Sequence, residues 1–234
     1  LQCLLILMDN LKIHNFLYLY QKDCFLNEFF YFSSKTTLIR TKPDATTVID
    51  ADYSAIPDEL KELGIAHIGG LSYYNGYIYA GMEDSKVWDY PIVGVFDAPV
   101  EGGNEVYACI VVFDAETLDF VDYYILDSET VTRGLPWVCV DGETGYLYCT
   151  DHSKQPTKLL VYDTANEMEF VKEIPLSFSV PSIQGAEFYN GILYAATNDE
   201  TKAILKDIVE YKGANNIFYG IFFKTFNNCH NKIS

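Results

Sequence analysis

Two of the four histidines in this 234-residue chain stand in segments that are similar to one another and carry carboxylates near their ends. His67 opens HIGGLSYYNGYIYAGMED (67–84), which closes on Glu83-Asp84. PWVCVDGETGYLYCTDHS (136–153) carries Asp151-His152 near its end, and IQGAEFYNGILYAATND (183–199) ends on Asn198-Asp199. Imidazole with carboxylate suits Zn²⁺, Mn²⁺ or Fe²⁺, and carboxylates with amide oxygens suit Ca²⁺. A metal held there could activate water, and a histidine next to a carboxylate can act as a general base. Glu83, Asp84, Asp151 and His152 are accordingly the candidate ligands for Ca or another divalent metal. No spacing such as H-E-x-x-H supports them, and acidic loop residues are expected in a chain whose formal net charge is −17. His67 has a second reading, as a hydrogen-bonded structural residue ahead of Gly69-Gly70, a pair that permits close backbone approach.

Each of these segments reads as an apolar strand, a tight turn containing Gly, and a second strand built on an apolar-Tyr pair. Asn75-Gly76 and Asn190-Gly191 supply the positive φ of a type I′ turn. The middle hairpin turns through Asp141-Gly-Glu-Thr-Gly145. A four-residue loop, 142–145, sets Asp141 opposite Tyr146 and Cys139 opposite Tyr148, and leaves Cys149 on the other face. A three-residue loop would instead oppose the two cysteines. None of the six cysteines forms a C-x-x-C pair, so free, buried thiols are expected.

The repeat extends outward. ACIVVFDAETLDFVDYYIL (108–126) matches KLLVYDTANEMEFVKEIPL (158–176), each with an apolar strand ending in Val-aromatic-Asp. Val112-Phe113-Asp114 and Val161-Tyr162-Asp163 stand 49 residues apart, and Tyr148 and Tyr194 stand 46 apart. Four short strands in each unit of about 45 residues is the spacing of a propeller blade. The predicted fold is therefore all-β, a β-propeller of four-stranded antiparallel blades. FFYFSS, TTLIRT and TTVIDA supply the second to fourth strands of an earlier blade. Residues 198–212 supply the outer half of the last, although AILKDIV within them also suits a short helix. About four blades are visible, two of them partial, as in a fragment of a larger ring. Residues 27–212 hold the blades. Residues 1–26 and 213–234 fall outside the repeat, and the latter contain no Asp or Glu.

Propeller geometry puts the loop entering the first strand of each blade on the same face as the end of its second strand. That face is expected to gather His67, Arg133 and Gln184 with Glu83-Asp84 and Asp151-His152, and to carry an insertion at 85–106. The insertion reads as a lid or binding loop, or as a tolerated surface loop. Trp137 aligns with Gly70 and Gly185, so it either lines the channel mouth and stacks on a flat ligand or fills the core between blades. Glu187, on a first strand, points into the channel or between sheets. His67, Trp137, Arg133, Gln184 and Glu187 are the candidate ligand-binding residues.

The motifs GLSYYNGYIY and GAEFYNGILY, with Val-[Phe/Tyr]-Asp, resemble the repeat propellers that include quinoprotein-like, NHL-like and senescence-marker or strictosidine-synthase-like proteins. The resemblance covers roughly 27–210 and implies the fold. Calcium-dependent lactonases and strictosidine synthases of that class bind metal or substrate at one end of the central channel, but their ligand set has no match in this chain, and no catalytic role is carried over. Two functions follow as expectations. One is a non-catalytic propeller binding a small molecule, glycan or protein, soluble and extracellular or periplasmic. The other is a metal-assisted, lactonase-like hydrolase using the face that bears the insertion. A pI near 4.4 repels phosphate backbones and argues against nucleic acid, and no apolar run reaches the length that spans a bilayer.

Overall fold

The computed structural model describes residues 22–26, 29–84, 107–132, 134–152, 156–177, 183–189, 191–197, 209–213, 216–220 and 223–224. Strands β1 (Lys22–Leu26), β2 (Phe29–Ser34), β3 (Thr37–Thr41) and β4 (Val48–Asp52) form an antiparallel sheet in that order. A short helix, α1 (Asp58–Glu62), leads to a second sheet of β5 (Ile65–Tyr74), β6 (Tyr77–Asp84), β7 (Ala108–Asp114) and β8 (Phe120–Ile125). The same order recurs in β9 (Val138–Val140), β10 (Tyr146–Cys149), β11 (Lys158–Asp163) and β12 (Glu169–Pro175). A fourth sheet begins with the hairpin β13 (Ile183–Tyr189) and β14 (Ile192–Thr197). A separate hairpin joins β15 (Val209–Gly213) to β16 (Asn216–Gly220), and β17 (Phe223–Lys224) pairs in parallel with β14. No helix among the described residues is long and apolar enough to cross a membrane.

Alternation explains how these sheets stack. In β7 the side chains of Cys109, Val111 and Phe113 join one cluster with Ile78, Ala80 and Met82, packed towards Tyr31 and Leu38 of the first sheet. Ala108, Ile110 and Val112 join Tyr79 in a second cluster with Val138, Val140, Leu147 and Leu160 of the third. Both faces of the second sheet are therefore buried, which is why its middle strands read as nearly unbroken apolar runs. The other face of the third sheet, with Cys139, Tyr148 and Val161, packs on Ile183, Leu193 and Ala195 of the fourth. Sheets of sequential antiparallel strands stacked face to face in this way are the blades of a β-propeller.

The hairpins form as their turn residues require. Asn75 and Gly76 both take positive φ, 50° and 87°, and the Gly76 N–H donates to the Tyr73 hydroxyl at 2.8 Å. Asp141 N–H donates to Tyr146 O at 2.9 Å, and Cys139 pairs with Tyr148 while Cys149 pairs with Val138. The four-residue loop is thus the one formed, and Cys109, Cys139 and Cys149 are buried free thiols. They supply no disulfide in support of the expected extracellular location.

Differences from the expected boundaries lie where local pattern is weakest. The blade expected to begin at residue 27 has its first strand at Lys22–Leu26, a segment without strand alternation whose pairing to β2 defines it. In the fourth sheet the described partner on the outer side of β14 is the two-residue, parallel β17, not a strand from 198–212. No short-range signal specifies such a long-range pair. Residues 1–21, 198–208 and the insertion at 85–106 lie outside the described residues.

Backbone hydrogen bonds also tie the blades. Ile68 N–H donates to Lys35 O of the first sheet at 2.8 Å, and Gly70 N–H to Pro136 O, beside the third, at 2.9 Å. Ser33 Oγ donates to Gly69 O at 2.7 Å, and Val140 N–H donates to Ser72 Oγ at 2.9 Å. A Cβ on Gly69 would stand 2.5 Å from Pro136 O, whereas one on Gly142 would meet nothing within 4 Å. Gly69→Ala is expected to cost about 1–3 kcal/mol in denaturant unfolding, as overpacking against rigid backbone does. Gly142→Ala should stay within about 0.5 kcal/mol of the parent chain.

Candidate functional site

The pairing of β5 with β6 sets His67 opposite Glu83. Opposed residues share a face of the sheet, and this face looks towards the next blade. The chain leaving β10 brings His152 to the same place, where His152 N–H donates to Gly134 O at 3.0 Å. Glu83 is fully buried, at 0% exposure, between the two imidazoles. His152 Nδ1 lies 2.9 Å from Glu83 Oε2, and His67 Nδ1 lies 3.2 Å from Oε1, the latter a close contact rather than an aligned hydrogen bond. Both contacts use Nδ1, and a ring that hydrogen-bonds the ionised carboxylate, as His152 does, donates from Nδ1–H.

Burial pushes the Glu83 carboxyl up, but the imidazoles of His152 and His67 outweigh it and hold it at about 2, below its ordinary 4.5. A buried carboxylate in contact with two imidazoles is an interblade tie: His67 and Glu83 belong to the second blade, His152 to the segment following β10 of the third.

The structure therefore brings together His67, Glu83 and His152, and separates the rest of the expected metal set. Along β6, Glu83 and Asp84 point to opposite faces, since side chains alternate. Asp84 is fully buried, and a Cβ on Gly64 would stand 3.2 Å from its carboxylate oxygens. Asp151 accepts from Thr132 Oγ1 at 2.9 Å. Among the described residues no group of three His, Cys, Asp or Glu is arranged to hold a metal ion.

The expected ligand-binding residues scatter too. Trp137 is fully buried among Cys139, Tyr148 and Ile183, and its indole N–H donates to Thr150 Oγ1 at 2.9 Å. It fills the core between blades and presents no face for stacking. Gln184 is half-buried and Glu187 exposed on β13, and Arg133 lies outside the described residues. Because Ala186 and Phe188 pack towards the third blade, alternation turns Glu187 to the opposite face.

A repeated device passed unnoticed in the sequence. Asp44, Asp114, Asp127 and Asp141 each accept hydrogen bonds from the following turn, and each has Thr three residues on. In Asp114 the carboxylate accepts the Glu116 and Thr117 N–H groups at 2.8 and 2.9 Å. The Thr47 hydroxyl and the backbone N–H groups of Thr47 and Thr46 hold the exposed Asp44 at about 2. D-x-x-T was legible as a recurrent turn signal. Much of the acidity of the loops is thus committed to shaping turns.

No protein-family model and no curated protein matches the chain. Among solved structures it is similar to RRP9 WD40 repeats at 10% identity, covering 72% of this chain and 41% of that one with a TM-score of 0.46. Dos1 propeller is similar at 14% identity, over 73% of this chain and 40% of that one, with a TM-score of 0.45. The Neurospora crassa Pan2 WD40 domain is similar at 13% identity, over 76% and 44%, with a TM-score of 0.46. The chain spans about two fifths of the length of these structures. Its own sheets, their order and their stacking define it as an arc of β-propeller blades.

Removing one partner from a buried ionic contact leaves the other without compensation, so His152→Ala should lower stability by roughly 3–5 kcal/mol at neutral pH. The pH dependence has a definite sign. A carboxyl held low in the folded chain binds fewer protons there than in the unfolded chain. Its contribution is complete above pH 4.5 and is lost as pH falls towards 2. The stability difference between the parent and Glu83→Gln, measured by urea unfolding, should shrink across that window.

Proposed function

We propose that this chain is a protein-binding propeller domain rather than a hydrolase. The observation that carries the reading is an exposed apolar pair repeated on three outer strands: Val48-Ile49 on β4, Phe120-Val121 on β8 and Phe170-Val171 on β12. Each pair lies near the start of its strand, close to a bulge in the pairing with the third strand, at Arg40/Thr41, Val112/Phe113 and Val161/Tyr162. The register shift in each pairing skips the second residue of the pair, Ile49, Val121 or Val171, so the strand bulges there and both apolar side chains stay exposed at the rim. Such strands also present an open edge, which extended segments of other proteins can pair with. A formal net charge of −17 favours a cationic partner.

The burial of Glu83 against two histidines supports the same reading, because those side chains already serve the joint between blades. A resemblance to lactonase-like propellers would require them to open towards solvent and a metal. Dialysis of the purified chain against Ca²⁺, Zn²⁺ and Mn²⁺, followed by elemental analysis, distinguishes the two. The binding reading expects no stoichiometric metal. Stoichiometric metal that disappears in the His67→Ala/His152→Ala double variant would establish the hydrolase-type site instead.

A further inference from the structure

The second and third blades leave a groove of about 480 Å³ between their outer parts. One wall is the end of β8 with Tyr124 and Ile125. The other is the turn between β11 and β12 with Glu167 and Met168, continuing to Phe170. Ile125 and Phe170 are 41% and 45% exposed, while Met168 is buried at the floor. The Phe170 ring stands edge-on to Tyr162 at 5.6 Å, which fixes one apolar wall. Glu167 and Met168 both take left-handed φ, 47° and 54°, a conformation disfavoured for residues with a Cβ. This backbone leaves Met168 buried and Glu167 exposed beside it.

Charge gives the groove its selectivity. Asp127 and Glu167 line it, and no Lys or Arg does. Asp122 adds a third carboxylate, accepting from the Tyr124 hydroxyl at 3.1 Å. Burial, followed by Asp122 and Glu167, pushes the Tyr124 hydroxyl up, as expected where negative charge lacks a nearby counter-ion. On β11, the strand beside β12, Lys158 is paired with Glu173. Lys172 is exposed on β12 outside the lining. β8 is the outermost strand of its sheet, so one row of its backbone groups has no strand beside it among the described residues.

We propose that this groove binds an extended basic segment of a partner protein, whose apolar side chains seat between Ile125 and Phe170 and whose Lys or Arg side chains face Glu167, Asp127 and Asp122. The proposal rests on the binding reading and gives it a location and a partner chemistry. Apolar anchors supply affinity, and the carboxylates select against acidic segments and speed encounter.

The test uses the intact chain and a fluorescein-labelled peptide that alternates lysine or arginine with leucine or phenylalanine. A second peptide carries glutamate in place of each basic residue. Fluorescence anisotropy should show saturable binding of the basic peptide only, weakening as salt rises. Glu167→Lys and Phe170→Ser should each weaken it about tenfold or more, equivalent to about 1.4 kcal/mol. Tyr53→Ser, at the exposed turn that follows β4 in the first blade, should leave it unchanged. Circular dichroism and thermal melts of each variant establish that the blades persist, and Ile125→Glu provides a second lesion on the opposite wall.

Equal binding of the acidic peptide, or binding unaffected by all three groove variants, would overturn the proposal. So would sedimentation showing that Phe170→Ser dissolves a dimer of the parent chain, since a second copy would then be the occupant. Failure here with no metal bound leaves the protein-binding reading standing. Stoichiometric metal at the histidines overturns that reading whether or not the peptide binds.

Discussion

Strand β5 must satisfy its backbone on three sides, and the arrangement of the blades depends on how it does so. It pairs with β6, but with breaks in register between Ile65 and His67 and between Ile68 and Leu71. At the second break the freed groups turn to the neighbours: Ile68 N–H reaches Lys35 O, and Gly70 N–H reaches Pro136 O. Buried backbone donors left unpaired would be costly, so the irregularity of β5 and the cohesion of the blades are one feature. Gly69 lacks the Cβ that would collide with Pro136 O, and Gly81 on β6 likewise leaves room for Leu135 O. The approach of backbone to backbone is what places the segment around Trp137 in the core and brings His152 to Glu83.

Around that seam, the stacking is carried by alternation. Each middle strand sends successive side chains into two different clusters, one with the preceding blade and one with the following blade. Outer strands have no such obligation, and β8 and β12 are mostly exposed along their length. The turns linking third to fourth strands are held by Asp side chains, as in Asp114 and Asp163, and the same turn backbone joins blades: Ala115 O accepts from the Tyr31 hydroxyl at 2.9 Å and from Arg40 at 3.1 Å. Aspartate therefore shapes local geometry while giving the rim its negative field.

The hairpins were legible because their information is local. Asn75-Gly76 demands positive φ, and the Asp141–Gly145 loop fixes which residues face each other, so the opposition of Cys139 to Tyr148 followed from counting. The repeated strand order put His67, Glu83 and His152 at the same end of their blades, together with Asp84 and Asp151, but did not show which of these side chains would meet. What counting could not supply was the face chosen by each member of an adjacent pair. Glu83 and Asp84 appear equivalent in a list of ligands, yet alternation along β6 sends them into different interblade spaces. Trp137 aligned with glycines, which left channel mouth and interblade core both open to it, and the indole occupies space that a neighbouring blade closes over. β1 and β17 depend on partners distant in sequence or on very short pairings, and neither leaves a periodic trace.

The buried carboxylate of Glu83 bears on where function can reside. A catalytic or metal-binding group at a channel mouth must exchange partners with substrate or water during turnover. Glu83 sits in a dry joint with one imidazole on each oxygen, and withdrawing either would expose an uncompensated charge within the interface between blades. Chemistry at this position would thus compete directly with cohesion of the propeller. The rim faces no such conflict: its outer strands carry exposed apolar side chains and carboxylates without contributing to the seam at β5. Cohesion in this fold is consequently carried by the inner strands through close backbone contact, whereas the outer strands leave their surface open.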